Sequence, residues 1–167
     1  MNTAETDERS VVIAYDGSPA ARQAVAAAAR ILGACRVLVV TVWEEGLAYA
    51  GPATPLEGMT IPPMVEPGVA LDVDRAVHGH AERVSNEGAA LAGSLGLDAQ
   101  PLAVPDDGNV AGTILSVASE RQATAIVVGS RGLGGIRARL EGSTSKDLLR
   151  HAPCPVIVVH EAHEEQG

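Results

Sequence analysis

Short and almost purely aliphatic runs alternate with helical segments along most of this chain. The first two runs cover residues 11–13 and 36–43, and the second reads RVLVVTVW. Because it shows no polar alternation, it is typical of a strand that is buried on both faces of a parallel sheet. Further strands are predicted at 97–104, 124–129 and 156–160. Strands that alternate with helices predict an α/β domain with a parallel, doubly wound sheet.

Helix signals fill the intervals between these runs. Ser18 precedes Pro19, which predicts a helix start, because the Ser side chain can cap a helix and Pro suits its first position. Gly33 is expected to end that helix. Helical periodicity returns at 69–95, 110–118 and 144–151. In the third strand, Pro101 favours a position at the edge of the sheet.

The interval at 44–68 follows neither pattern. It contains five prolines and four glycines, which predicts a long connection without regular structure. Such a connection is uncommon in a compact domain. We interpret it as either a lid over a site or a mobile insert.

Composition and charge exclude several classes of protein. Hydrophobic residues make up 46% of the 167 residues, yet aromatic residues make up 2% and Phe is absent, so the core must be aliphatic. A net charge of -9 argues against broad nucleic-acid binding and against docking on anionic lipid. No apolar run approaches the roughly 20 residues of a membrane span. The first ten residues lack an apolar signal segment, and a cytoplasmic location is expected.

Five glycines fall between residues 129 and 142, after one aliphatic run and before a helical segment. The segment completes neither the G-x-G-x-x-G pattern nor a P-loop. Its chemistry nevertheless suits an anion, since glycine lets the backbone approach closely and a helix start offers unpaired N–H groups. Residues 129–151 also carry five basic residues against two acidic ones. The segment therefore predicts a local anion site.

In doubly wound sheets, ligands bind beyond the carboxyl ends of the strands, where the strand order reverses. Residues 14–18 follow the first strand, and the glycine segment follows the fourth. If these two strands are neighbours, both segments face the same ligand.

The pattern Gly129-x-x-Gly132, nine residues, then Gly142-Ser143 resembles the nucleotide-binding signature of the universal stress protein family, in its ATP-binding branch. Three flanking stretches are also similar to the family and extend the resemblance over nearly the whole chain: VVIAYDGSPAARQAV, TAIVVGSRG and APCPVIVVH. The resemblance implies one Rossmann-like domain at 10–160 with sheet order 3-2-1-4-5 and helices on both faces. Residues 1–9 and 161–167 are then tails, the first of them disordered.

The resemblance also implies a site for ATP with Mg²⁺. Asp16 would help to hold the metal, directly or through water. The implied nucleotide contacts are main-chain groups around Ala14 and Val42 for the adenine, Gly129 and Arg131 along the ribose and phosphates, and Gly132, Gly142, Ser143 and Thr144 as the phosphate cradle. The last strand, Val156–His160, would pair with its counterpart across a homodimer axis.

Three function classes follow from this site. The first is an ATP-binding regulatory module that signals to an unidentified protein partner in stress response. The second is a weak ATPase or phosphotransferase, for which Asp16 is the one clear candidate and no catalytic pair can be placed. The third is a nucleotide-free dimeric scaffold. Whether ATP, AMP or cyclic AMP is preferred stays open.

Individual residues keep two interpretations each. Asp16 suits a metal, but it also suits a plain Asp-Gly-Ser-Pro turn. Trp43 either stacks on the base or covers the edge of the core. Arg137 and Arg139 either reach phosphates or lie on a solvated face. A histidine metal site is not expected, because His78 and His80 diverge on a helix.

Overall fold

The computed structural model describes residues 10–46, 54–56, 59–61, 67–106, 108–130 and 143–160. For 54–56, 59–61 and Ser143 it describes the backbone alone. The expected tails at 1–9 and 161–167 lie outside the described residues.

Seven strands and four helices are defined among these residues. The strands are β1 (Val11–Ala14), β2 (Arg36–Trp43), β3 (Thr54–Leu56), β4 (Met59–Ile61), β5 (Asp98–Pro105), β6 (Ala125–Gly129) and β7 (Val156–Val159). The helices are α1 (Pro19–Leu32), α2 (Pro67–Ser94), α3 (Val110–Glu120) and α4 (Ser143–His151). Strands and helices alternate as the sequence predicts, except between β2 and α2.

Five of the strands form one parallel sheet in the order β5-β2-β1-β6-β7. Numbered within this sheet, the order is 3-2-1-4-5, and the prediction is confirmed. β1 lies at the centre, with Ile13 opposite Val39 on one side and Val127 on the other. β5 is an edge strand and contains Pro101. This position suits proline, because an edge strand has a row of N–H groups that the sheet does not use.

The core lies on both faces of the sheet. On one face, Ile13, Val39 and Val127 pack with buried residues of α1 and α2. On the other, residues such as Val12 and Val128 pack with α3 and α4. Alternate residues of each central strand therefore contribute to opposite layers, which explains the unbroken aliphatic runs in the sequence.

The predicted start of α1 is confirmed in atomic detail. The Ser18 hydroxyl accepts a hydrogen bond from the Ala21 N–H at 3.1 Å, and Pro19 is the first helical residue. At the other end, Gly33 has φ +66° and its N–H donates to the Ala29 carbonyl. α2 starts at Pro67, two residues before the predicted boundary, because proline is well suited to the first helical position.

The prediction that 44–68 contains no regular structure is wrong. β3 and β4 pair in antiparallel fashion, with Thr54 opposite Ile61 and Pro55 opposite Thr60. A two-stranded sheet consists of two edge strands, so it tolerates a proline whose missing N–H faces away from its partner. Proline content alone therefore did not exclude a hairpin.

Gly88 lets α2 lie close to the sheet. It is buried in the helix interior, and a Cβ built on it would lie 2.7 Å from Tyr15 Cδ1 and 2.8 Å from Val39 Cγ1. Separations this short are not sustained by real side chains, so one of the neighbours would have to move. Gly79, in the same helix, has no heavy atom within 4 Å of its built Cβ.

These two glycines predict opposite effects of alanine. Gly88→Ala is expected to lower the free energy of unfolding by about 1–2 kcal/mol, because overpacking costs about 1–3 kcal/mol and exceeds the helix-propensity gain. Gly79→Ala is expected to raise it by about 0.5–1 kcal/mol through propensity alone. Urea unfolding followed by circular dichroism measures both. Equal stabilisation by the two variants would contradict the close packing.

Candidate functional site at the carboxyl edge of the sheet

The carboxyl ends of β1 and β6 lie side by side. Their parallel pairing runs to Ile13 and Val127, and both Ala14 and Gly129 are buried. The turn after β1 and the chain after β6 therefore leave the same edge of the sheet as neighbours. This is the point where the strand order reverses, since β1 continues to β2 on one side and lies against β6 on the other.

Asp16 lies in the tight turn between β1 and α1. Its Oδ1 atom accepts a hydrogen bond from the Ser18 N–H at 3.0 Å, and Gly17 between them has φ +78°. This is the turn that an Asp-Gly-Ser-Pro sequence favours. The side chain is half-buried. This hydrogen bond uses one oxygen of the Asp16 carboxylate. It also fixes the orientation of the carboxylate and so the position of its second oxygen.

The main chain just before Asp16 is tied to β2. The Tyr15 N–H donates to the Val40 carbonyl at 2.8 Å, and the Tyr15 carbonyl accepts from the Thr41 hydroxyl at 2.8 Å. Thr41 is buried, so this side-chain bond is shielded from water. Neither residue was predicted to belong to the site, although a lone Thr within the run VLVVTVW is a polar side chain whose hydroxyl needs a hydrogen-bond partner in a buried strand.

The Tyr15 side chain connects the same point to two helices. Its ring is buried, and its hydroxyl lies 3.2 Å from Glu87 Oε1 on α2. Glu87 also pairs with Arg22 Nη2 of α1 at 2.7 Å. Burial raises the pKa of the Tyr15 phenol, and the hydrogen bond from Arg22 lowers the pKa of Glu87. The network links α1 and α2 beside the end of β1, although the Arg22–Glu87 pair is half-exposed and adds little to stability.

The end of β2 presents two residues to opposite faces. Val42 packs against the layer of α3 and α4, whereas Trp43 lies against α2, where its ring centroid is 5.2 Å from that of His78. The Trp43 carbonyl accepts from the Asp106 N–H at 2.7 Å, which joins the ends of β2 and β5. Of the two interpretations of Trp43, this geometry favours the one in which the ring covers the core edge.

The phosphate side of the predicted site is described in part. α4 begins at Ser143, Thr144 is half-buried, and the buried Leu148 anchors the helix on the layer it shares with α3. The predicted contacts Arg131, Gly132 and Gly142, and the two arginines at 137 and 139, lie outside the described residues. The roles assigned to Ala14, Asp16, Val42, Gly129, Ser143 and Thr144 stay predictions.

Gly129 has a steric role that the motif did not indicate. A Cβ on this residue would lie 2.8 Å from the carbonyl carbon and oxygen of Ala20, in the first turn of α1. These are backbone atoms, so rotation of a side chain cannot relieve the contact. The residue is glycine because β6 and the start of α1 leave no space for a side chain.

Comparison with known proteins now identifies the family. A model described as the universal stress protein family matches residues 8–160. The chain belongs to this family. A universal stress protein of Thermus aquaticus is 35% identical to it over 154 residues, which cover 90% of this chain and 98% of that protein.

Solved structures share the fold of this family member. A universal stress protein family protein of Arabidopsis thaliana with AMP bound superposes with a TM-score of 0.61, at 15% identity and 95% coverage of both chains. A universal stress protein in complex with cAMP superposes with a TM-score of 0.57, at 24% identity over 91% of this chain and 96% of that one.

Two further observations on this universal stress protein concern metals and membranes. Within the part of the chain that the structure describes, no group of three or more His, Cys, Asp or Glu side chains is placed to hold a metal ion. In the same residues, no helix combines the length and apolar character needed to cross a bilayer.

Because Gly129 packs against the backbone of α1, even its replacement by alanine is predicted to destabilise the fold. Gly129→Ala is expected to lower the free energy of unfolding by about 1–3 kcal/mol, as overpacking typically does. Ser130→Ala, at the next and half-buried position, is expected to stay within about 0.5 kcal/mol of the native protein. Chemical denaturation without nucleotide measures both. If Gly129→Ala has the same free energy of unfolding as the native chain, the fold does not require glycine here, and the role of Gly129 would lie in ligand binding alone.

Proposed function

We propose that the protein binds an adenine nucleotide, ATP with Mg²⁺ in the first instance, at the carboxyl edge between β1 and β6. The observation that carries this proposal is the pairing of β1 with β6, which brings the Asp16 turn and the start of the glycine segment to one edge. The AMP and cAMP bound to two structural relatives support it. The nucleotide motif of the family, present in this sequence, supports it as well.

The side chains at this edge suit Mg²⁺ that arrives with a nucleotide. Magnesium in nucleotide sites is commonly held by one or two carboxylates, by phosphate oxygens and by water. Asp16 would supply the carboxylate, oriented by its bond to the Ser18 N–H. The hydroxyls of Ser143 and Thr144, at the start of α4, would donate to phosphate oxygens or contact the metal. The helix start adds unpaired N–H groups.

Nucleotide occupancy would serve as the signal. A ligand shifts the equilibrium between two states of a protein only by the difference between its affinities for them. To read the signal, a partner protein needs only to bind one of the two states more tightly than the other. We place this regulatory role in the stress response and in the cytoplasm, where the partner would read the bound state. The sequence offers no acid–base pair that can be placed beside Asp16, so we do not assign hydrolysis to the site.

The proposal predicts that purified protein releases an adenine nucleotide on denaturation. After removal of bound nucleotide, calorimetric titration with ATP, ADP, AMP and cyclic AMP, with and without Mg²⁺, should give one site per chain. Gly142→Asp is expected to weaken ATP binding by about 100-fold or more, because juxtaposed like charges cost several kcal/mol. Gln100→Glu adds the same charge at an exposed position of β5 and should leave affinity unchanged.

Two results would contradict the nucleotide site. One is the absence of binding at millimolar nucleotide in a chain that is folded by circular dichroism. The other is an equal loss of affinity in Gly142→Asp and Gln100→Glu. Asp16→Asn gives a separate test of the metal, since it should reduce the effect of Mg²⁺ on ATP affinity and leave AMP affinity unchanged.

We also propose that β7 pairs with a second copy of itself. β7 is the other edge strand of the sheet, and its four residues are all half-exposed Val or Ile. The Pro155 carbonyl accepts a hydrogen bond from the Ile126 N–H of β6, and the Val159 carbonyl accepts one from the Ser130 N–H just after β6. In a parallel ladder, the intervening residues Val156 and Val158 therefore direct their main-chain groups to the free edge.

This edge predicts a dimer that a single proline disrupts. Val158→Pro removes an N–H that faces away from β6, so the five-stranded sheet should persist while pairing across the edge is lost. Light scattering after size exclusion is expected to give twice the chain mass for the native protein and one chain mass for the variant. Val158→Thr keeps the N–H and should remain dimeric. A monomeric native protein would refute this interface.

A further inference from the structure

The carboxyl end of β1 is held by a side chain of β2 as well as by the sheet. Regular pairing of the two strands ends with Ala14 opposite Val40. The Tyr15 N–H, one residue later, still donates to the Val40 carbonyl at 2.8 Å. The Tyr15 carbonyl accepts its hydrogen bond from the Thr41 hydroxyl, also at 2.8 Å. β2 therefore holds the main chain on both sides of the Tyr15 Cα, immediately before the Asp16 turn.

The Thr41 hydroxyl is a polar group in an otherwise aliphatic setting. Thr41 is 6% exposed and lies between two valines of β2. Its hydroxyl joins β2 to the chain after β1, whereas that of the buried Ser85 donates to the Glu82 carbonyl within its own helix. Valine has nearly the same shape as threonine and is also favoured in strands, so neither space nor strand propensity calls for a hydroxyl here. What the hydroxyl satisfies is the Tyr15 carbonyl.

The position of the Tyr15 carbonyl determines that of Asp16. A peptide group is planar, so the carbonyl fixes where the Asp16 nitrogen and Cα lie. Further along, Asp16 Oδ1 accepts from the Ser18 N–H at 3.0 Å, and Gly17 closes the turn with φ +78°. The carboxylate is thus held through its backbone and through one oxygen. Among the described residues, its Oδ2 atom has no hydrogen-bond or ion-pair partner, which leaves that oxygen for a ligand.

We infer that Thr41 is a positioning residue for Mg²⁺, because its hydroxyl sets the place of the Asp16 carboxylate through the Tyr15 carbonyl. The inference rests on the proposed nucleotide site and adds a residue that acts through Asp16. Without the hydroxyl, the carbonyl would be buried and unpaired, which is costly. The peptide is then expected to rotate until the carbonyl finds water or another donor, and Asp16 moves with it. Mg²⁺ tolerates such a shift poorly, since it requires near-ideal octahedral geometry.

Amide exchange in the nucleotide-free protein gives the first test. The variant Thr41→Val removes the hydroxyl and keeps the shape of the side chain. In protein labelled with ¹⁵N, the Ser18 amide reports directly on the bond to Asp16 Oδ1. Its exchange with water is expected to be about three- to tenfold faster in Thr41→Val, the factor that corresponds to one intramolecular hydrogen bond. An unchanged Ser18 exchange rate in the folded variant would overturn the inference.

The magnesium dependence of ATP binding gives the second test. The measured quantity, the magnesium factor, is the Kd for ATP without Mg²⁺ divided by the Kd with it. Thr41→Val is expected to lower the magnesium factor by about three- to tenfold. The Kd for AMP should stay unchanged, because the proposed metal contact is made with ATP. An equal weakening of AMP binding and of ATP binding with Mg²⁺ would overturn the inference.

Two control variants separate positioning from stability. Thr41→Ser keeps the hydroxyl and should restore both the Ser18 exchange rate and the magnesium factor, although the loss of a buried methyl group lowers its urea midpoint. Val37→Thr places a new hydroxyl on the same face of β2, near the amino end of the strand. It should also lower the midpoint and leave both readouts native. Changes in Val37→Thr as large as those in Thr41→Val would overturn the inference, since any loss of stability would then suffice.

A double variant tests whether Thr41 acts through Asp16. In an Asp16→Asn background, Thr41→Val is expected to have no further effect on the magnesium factor. Independent, additive losses would overturn the inference. If the emptied native protein binds no adenine nucleotide, the proposed function fails, and the magnesium role of Thr41 fails with it. If the native protein binds ATP and the magnesium factor is the same in Thr41→Val, the inference alone fails.

Discussion

The burial of β1 between two parallel neighbours is the constraint on which the rest of the structure depends. Its residues pack alternately into two helical layers, and its hydrogen bonds join β2 on one side and β6 on the other. A strand in this position cannot shift by one residue without moving every side chain to the opposite layer. The turn that carries Asp16 therefore leaves the sheet at a point that both layers determine.

Much of this arrangement could be predicted from the sequence, because its causes are local. The aliphatic runs indicate strands that are buried on both faces. Ser18 and Pro19 indicate the start of a helix, and Pro101 indicates the edge of the sheet. Each of these signals reflects a backbone or solvent requirement of the residue itself. The strand order needed the family resemblance in addition, since local patterns do not state which strands are neighbours.

What the sequence did not predict depends on contacts between distant residues. Gly88 and Gly129 resemble ordinary helix and turn glycines until Tyr15 and Ala20 are seen beside them. The bond from Thr41 to the Tyr15 carbonyl joins positions 26 residues apart. The hairpin of β3 and β4 arises in a segment where proline content favoured irregular structure. The residue types of the candidate site and the Asp16 turn were predictable, but the hydrogen bonds that tie Tyr15 to β2 and α2 were not.

The two edges of the sheet differ in a way that bears on assembly. β5 presents exposed polar residues together with Pro101 and Pro105, which have no N–H to offer, whereas β7 presents aliphatic residues and complete main-chain groups. A sheet with two receptive edges could extend without limit by adding copies at both ends. With one edge blocked, the pairing of β7 proposed above would use the remaining edge and would close the assembly at two chains about a twofold axis. The two imino acids of β5, on the far side of the domain, would thereby protect such a dimer from growing into a fibre.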